Sequence, residues 1–316
     1  MAKKVKLKKQ AKLGVVLVVL LIIGSIAGVK LYKDYQYRQT YEYKLLELEY
    51  KLEDTKILIK KLTEPQLDEI LTKKHDANLV VLVNEKYFLY RNLPRYLEYL
   101  AKHESLALNE IITLVNVKRD REFYEEPAAT DTAKGILMLV NKYHNLDKDY
   151  NTDKIVKVSS TYAYAGNSLH EEAYTAFKEL AEEAKLSGYT IVLTSSYRSY
   201  HSQEELWTDY KNSTTQKRAD QYAARAGHSE HQTGYAIDVA DFYDTNDKFG
   251  ETEAFIWMQE NAHLFGFILR YPKEKENITG YAYEPWHYRY LGKEEAAKVY
   301  AEKITFDEYY EFYLAK

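Results

Sequence analysis

Apolar positions change their spacing several times along the chain, and each change predicts a different element. Leu13 to Val29 is an uninterrupted run of seventeen apolar or small residues. A spanning helix needs roughly 17–25 such residues and a signal-peptide core only about 7–15, so residues 13–29 predict a transmembrane anchor. From Lys30 to Glu64 there is no Gly or Pro, and Tyr41, Leu45, Leu48, Leu52, Thr55, Ile59 and Leu62 recur at alternating spacings of four and three. That period predicts a helical stalk over 30–76, broken near Pro65. If 30–64 is one helix, it reaches roughly 50 Å at about 1.5 Å per residue. Its seam admits a weak homodimer through the stalk and, equally, a single helix packing its stripe on the domain that follows.

Residues 77–126 predict a small module in which Leu79-Val80-Val81-Leu82-Val83 is a buried strand and Leu93 to Ala107 a helix. The phrase Val81 to Tyr87 is echoed once, at Leu137 to Tyr143, which falls short of a repeat architecture. From 127 to 316 the rhythm is that of an α+β domain. Asn167 and Ser168 lead a helix with Leu169, Ala173, Phe177, Leu180 and Ala184 on one face, and Gly188 ends it. A strand at Tyr189–Ser195, a helix through Glu204, Leu206 and Trp207, and a strand at Tyr235–Val239 come next. A helix from Thr252 stops at Gly266. Short strands at Phe267–Arg270 and His287–Tyr290 and helices from Lys293 and Phe306 complete the domain. The expected fold is a small antiparallel sheet flanked by helices, behind an N-terminal transmembrane helix and stalk.

Charge orients this arrangement. Lys3, Lys4, Lys6, Lys8, Lys9 and Lys12 precede the apolar run, whereas the twelve residues after Val29 hold only Lys30, Lys33 and Arg38. The positive-inside rule keeps the 1–12 tail in the cytoplasm and the rest outside, a single-pass cell-membrane protein. Cleavage after Ala27, in Ser25-Ile26-Ala27, is the alternative, and it leaves the bulk of the chain outside as well. A formal net charge of -4 with interspersed acids and bases excludes nucleic acid as a default partner. The absence of cysteine removes disulfides, thiolate metal sites and cysteine nucleophiles, so a metal here is held by His, Asp or Glu.

Chemistry concentrates in Gly227-His228-Ser229-Glu230-His231-Gln232-Thr233-Gly234-Tyr235-Ala236-Ile237-Asp238 and in Glu284-Pro285-Trp286-His287. Two imidazoles and one carboxylate with a vacant fourth position make a hydrolytic zinc site, and His231, Asp238 and His287 fit it. Glu284, three residues before His287, is the natural general base. The small residues Gly234 and Ala236 let backbone pack tightly between the ligands. His75, His103, His144, His170, His201, His228 and His263 have no partner pattern and read as structural or surface residues.

Ser229, His231, Gly234, Ala236 and Asp238, with the later Glu284-x-x-His287, resemble the signature of the VanY-type D-alanyl-D-alanine carboxypeptidases. The fold of that family is shared with D-Ala-D-Ala dipeptidases and hedgehog domains. The resemblance spans 135–292. Leu139-Val140-Asn141-Lys142, Leu146 and Tyr150 resemble the family's opening segment, and Ser195-Ser196-Tyr197-Arg198-Ser199 with Gln203 its arginine motif. It implies a central Zn2+ on His231, Asp238 and His287, and Glu284 as base and then acid. Arg198 is implied to stabilise an oxyanion or a substrate carboxylate. Gln203, Ser229 and Trp286 are implied to line the substrate pocket, with core packing an equal reading for Trp286. The function implied is removal of a C-terminal D-alanine from peptidoglycan stem peptides, with D,D or L,D specificity. Its alternative is a catalytically silent, hedgehog-like binding module, against which Glu284 and Arg198 argue, since mere binding has no use for a proton shuttle.

Overall fold

A computed structural model gives residues 2–241 and 246–315. Met1 and Lys316, the outer ends of the expected tail and catalytic domain, lie outside the described residues, as do the side chains of Lys3, Lys4, Lys6, Lys8 and Lys9. Contacts divide the chain into two units, Met1–Leu93 and Pro94–Lys316.

In the first unit, helix α1 (Ala2–Arg38) contains a stretch, Ala11–Arg38, of 28 residues whose mean hydropathy peaks at 2.5 and of which nothing is buried. Its length and composition are those that a membrane span and a signal sequence share. The continuous stalk helix is corrected. Thr40 stops α1 and caps a new helix, its Oγ1 accepting the Tyr43 N–H at 3.2 Å. Helix α2 (Tyr41–Glu47) then ends at Glu49, which takes φ 68°. Helix α3 (Leu52–Lys61) follows, and Gln66 Oε1 accepts the Thr63 N–H at 3.0 Å to start α4 (Glu64–Leu71) at Pro65. Leu45, Thr55 and Leu62 of the stripe are buried within this folded-back bundle, while Leu52 and Ile59 stay exposed.

The expected strand at Leu79–Val83 is instead helix α5 (Ala77–Asn84), capped by Asp76, whose carboxylate accepts the Asn78 N–H. Leu79, Leu82 and Val83 are buried and Val81 is exposed, a helical alternation. Five apolar residues in a row fit a buried strand and a buried helix alike, and α5 packs on α3, where a strand would have no ladder to join.

The second unit opens one residue into α6 (Leu93–Lys102) and continues with α7 (Leu108–Asn116), so the boundary between the units falls inside the expected 77–126 module. Strand β1 (Ala128–Ala129) pairs with β2 (His144–Asn145), and β3 (Ile155–Lys157) with β4 (Ser168–His170). Helix α8 (Glu171–Leu186) begins later than Asn167 and Ser168 suggest. Ser168 belongs to β4, and the His170 ring caps the helix by accepting the Glu172 N–H at 3.3 Å. After it come β5 (Val192–Ser195), α9 (Tyr200–Ser213), α10 (Gln216–Tyr222), β6 (Ala236–Ala240), α11 (Glu253–Asn261), β7 (Phe267–Tyr271), α12 (Glu276–Thr279), β8 (Glu284–Tyr290), α13 (Lys293–Glu302) and α14 (Phe306–Tyr309).

The main sheet runs β5-β6-β8-β7 and is antiparallel throughout. Ala173, Phe177, Leu180 and Ala184 of α8 share one buried core with Leu193, Ile237, Val239 and Phe267 of the sheet. Leu114 and Val117, in and after α7, pack on Ile278 of α12, which ties the front of the unit to the segment leading into β8. The echoed phrases have no common structure, since Val81–Asn84 is helical and Met138–Val140 is irregular.

Candidate metal and catalytic centre

The two inner strands of the sheet carry the chemistry. Asp238 of β6 and His287 of β8 are direct partners across the antiparallel ladder, so their side chains share one face. His231 reaches the same place from the turn before β6, a short 3-10 helix (Glu230–Thr233) that ends on Gly234 at φ 75°. A Cβ on Gly234 would lie 2.7 Å from Ile155 Cδ1 and 3.3 Å from the His170 nitrogen, so this reversal requires glycine.

Glu284 and His287 are three residues apart, and a regular strand would point them to opposite faces. The register prevents this. Leu269 pairs with Tyr288 but Tyr271 pairs with Glu284, so β8 spends four residues where β7 spends two. The resulting bulge at Pro285-Trp286 turns Glu284 back to the cavity that His287 faces.

Ring orientation follows from hydrogen bonds. His231 Nδ1 lies 2.6 Å from the Ser196 carbonyl oxygen, which can only accept, so Nδ1 carries the proton and Nε2 is free toward Asp238 Oδ2 at 3.4 Å. His287 uses the opposite nitrogen. Its Nδ1 is 2.8 Å from Asp238 Oδ1, and its Nε2 faces Glu230 Oε2 at 3.6 Å. One donor atom from each of His231, Asp238 and His287 lies within 4.8 Å of the other two, and all three residues are buried. Two nitrogens and a carboxylate oxygen, with the remaining ring nitrogens turned to acceptors, fit a divalent first-row metal.

The electrostatics agree with that fit. Burial disfavours charge on His231 and lowers its pKa. Burial also opposes ionisation of Asp238, but the neighbouring His231 and His287 overcome it and hold the carboxyl well below its usual range. On His287 burial is outweighed by the carboxylates that face it, Asp238 at 2.8 Å and Glu230 at 3.6 Å, which raise it to about 9. Burial pushes Glu284 up to about 8, against the pull of His287.

Arg198, in the loop after β5, is braced by both ends of its guanidinium. Nη1 donates to Gln203 Oε1 at 2.7 Å and Nη2 to Ser195 Oγ at 2.8 Å. Gln203 donates in turn to the Ala224 carbonyl at 2.7 Å, so its amide is engaged at both ends and aims Arg198. Ser195 stands opposite Asp238 because a bulge in β5 shifts the register there. Arg198, Gln203, Ser229, Glu284 and Trp286 line one cavity of about 150 Å³ with the three candidate ligands. Trp286 also packs on the domain core. That volume is well below the roughly 300–1,000 Å³ of a site for a whole small-molecule ligand.

The seven other histidines stay out of this cavity. His228, for example, is buried with Nδ1 2.7 Å from the Asn141 carbonyl oxygen. Sequence reasoning gave no part to Glu230, Tyr271 and Tyr281, which also line the cavity, or to Arg270 behind it. Tyr271 stacks on His287 with ring centroids 5.0 Å apart. Nothing in the sequence distinguishes these two tyrosines among 32.

An antiparallel α+β domain that gathers two imidazoles, a carboxylate, a second carboxylate and a braced guanidinium around a small cavity has the layout of a hydrolase. Comparison with known proteins names the kind. The family model described as D-alanyl-D-alanine carboxypeptidase, VanY, matches residues 166–293. YodJ of Bacillus subtilis (strain 168) is 37% identical over 185 residues, covering 56% of this chain and 68% of that protein. The bifunctional D-Ala-D-Ala dipeptidase and D-Ala-D-Ala carboxypeptidase VanXYC of Enterococcus gallinarum is 33% identical over 181 residues, 56% of this chain and 94% of its own. Among solved structures, the LdcB LD-carboxypeptidase superposes with a TM-score of 0.55 at 34% identity, over 60% of this chain and 94% of LdcB. The chain belongs to the VanY family of D-alanyl-D-alanine carboxypeptidases and is a carboxypeptidase.

Proposed function

We propose that this chain is a membrane-anchored, zinc-dependent carboxypeptidase that removes the C-terminal D-alanine of peptidoglycan stem peptides. The observation that carries this reading is the convergence of His231, Asp238 and His287 beside Glu284 and Arg198 in one cavity. Zinc held by the three ligands would supply Lewis-acid polarisation of a water and of the scissile carbonyl. Glu284 takes the proton of the attacking water and returns it to the leaving amine. Its carboxylate receives no hydrogen bond from the described residues, so its lone pairs are available for this, and a dication beside it would draw its pKa back down. Arg198, pre-oriented by Gln203 and Ser195, meets either the substrate's terminal carboxylate or the developing oxyanion. Tyr271 and Tyr281 narrow the cavity, which favours a chain end over a mid-chain peptide.

Residues 127–316 form the catalytic domain in this reading. The helix at 13–29 anchors it, the basic 1–12 tail stays cytoplasmic, and the segments 30–76 and 77–126 follow the anchor in the chain, outside the membrane. VanXYC is named for D-Ala-D-Ala and LdcB for an LD bond, so both stem-peptide bonds stay in the proposal. Mass spectrometry of muropeptides digested with the full chain separates them. Loss of alanine from tetrapeptide alone identifies L,D cleavage, loss from pentapeptide identifies D,D cleavage, and no loss from either contradicts the substrate class.

Metal uptake has a pH signature. At pH 7 the metal-free site carries protons on His287, held to about 9, and on Glu284, held to about 8. Ligation through Nδ1 must expel the first of these, so zinc binding at pH 7 is expected to release on the order of one proton or more and to weaken as the pH falls. Calorimetry in buffers of different ionisation enthalpy measures the number released, and uptake without proton release would contradict the ligand set.

A further inference from the structure

Glu230 is nearly fully buried at 1% exposure, between Ser229 and the candidate ligand His231. Its Oε1 accepts from Arg270 Nε at 2.8 Å and faces Arg289 Nη1 at 3.2 Å. Arg270 continues to Asp307, donating from Nη1 to Oδ2 at 2.6 Å, and the other Asp307 oxygen accepts from Asn141 Nδ2 at 2.8 Å. Arg289 also donates to the Ile136 and Met138 carbonyls at 2.8 and 2.9 Å. Two guanidiniums and two carboxylates are thus sequestered together, and their charges cancel. Ionisation of Glu230 is compensated before any metal or imidazole is considered.

The cluster engages Oε1 and leaves Oε2 over. Glu230 Oε2 and His287 Nε2 are both buried, neither has a hydrogen-bond partner, and they face each other at 3.6 Å. A neutral imidazole carries one proton, and a ligand nitrogen must be the other one. For His231 the choice is made by a backbone carbonyl, that of Ser196. For His287 the acceptor in place is the Glu230 side chain.

We propose that Glu230 is a positioning residue for the metal site: its Oε2 keeps the His287 proton on Nε2, so that Nδ1 presents its lone pair beside Asp238. This inference rests on the ligand set proposed above. The buried cluster that holds Glu230 reaches back through Arg270 to Asp307, in α14.

Glu230→Gln in the detergent-solubilised full chain tests it. The amide preserves shape, but Arg270 and Arg289 present donors to one end and draw its oxygen there. Its NH2 group then faces His287 Nε2, which must accept, and the imidazole proton moves to Nδ1. Zinc affinity, measured by competition with a chelator, is expected to fall about 10–100-fold. Asp307→Asn is the control, since it disturbs the same buried cluster but leaves Glu230 against His287. It is expected to lower the melting temperature while zinc affinity stays within about twofold. A folded E230Q chain that binds zinc as tightly as the unaltered protein overturns the proposal, and so does a D307N chain that loses as much affinity as E230Q. The unaltered chain supplies a measurement independent of any variant's folding. Nitrogen-15 spectra of the zinc-loaded, histidine-labelled protein should show His287 protonated at Nε2, and a proton on Nδ1 overturns the proposal. An unaltered chain that takes up no zinc overturns the ligand set and this inference together, whereas normal zinc uptake with an unaffected E230Q overturns this inference alone.

Discussion

Glu284→Gln is expected to leave the chain folded and able to bind zinc while kcat for alanine release falls by roughly 10²–10⁴-fold. Glu284 is not among the three residues whose donor atoms converge, so metal uptake does not depend on it. Its side chain is buried, and burial holds it up to about 8, so at neutral pH the metal-free chain carries the neutral acid. Glutamine is close to that acid in shape and charge, and folding should be little affected. What the amide cannot do is accept a proton. Turnover, zinc content and melting temperature measured on one preparation separate these effects. A variant that keeps most of its turnover would remove Glu284 from the role of base.

His231→Ala is expected to lose both metal and turnover. The imidazole supplies one of the three donors, so the fall in zinc affinity should exceed the roughly 10–100-fold that an outer partner carries. The substitution also leaves the Ser196 carbonyl, 2.6 Å from Nδ1 in the intact chain, without that hydrogen bond in a buried place. About 1–3 kcal/mol of stability should go with it, whether or not metal is present. Zinc analysis of the purified variant is the check, and full zinc occupancy would contradict the ligand assignment. Together the two variants split the site, since one loses chemistry with the metal in place and the other loses the metal.

The candidate ligands and base stood out in the sequence because they fall in two short runs, and because two histidines with one aspartate form a donor set that few other chemistries require. The geometry that joins them was not. Glu284 and His287 face one cavity only through the bulge at Pro285-Trp286, and strand periodicity alone would have separated them. Glu230 stood in plain view inside the first run, yet a glutamate in an unplaced turn reads as solvated. Its meaning depends on Arg270, Arg289 and Asp307, which are 40 or more residues away or reach it only through Arg270.

The α+β domain was read more accurately than the segment before it. The periods of α8 and α11 and the glycine stops at Gly188 and Gly266 are local signals, and the fold obeys them. In the first unit, short-range capping by Thr40 and Thr63 and the left-handed turn at Glu49 interrupt a heptad stripe that runs on unbroken in the sequence. A stripe records which residues want burial, and a folded-back bundle satisfies Leu45 and Thr55 as well as a long helix would.

The central claim is a zinc site that cleaves the last bond of a stem peptide. The most direct test measures alanine released from synthetic stem tetrapeptide and pentapeptide by the full chain, before and after its metal is stripped and zinc is returned. Release that disappears with the metal and returns with zinc is the result expected here. Release that persists in the stripped chain would contradict the account, and so would zinc-loaded protein that frees no alanine from either peptide.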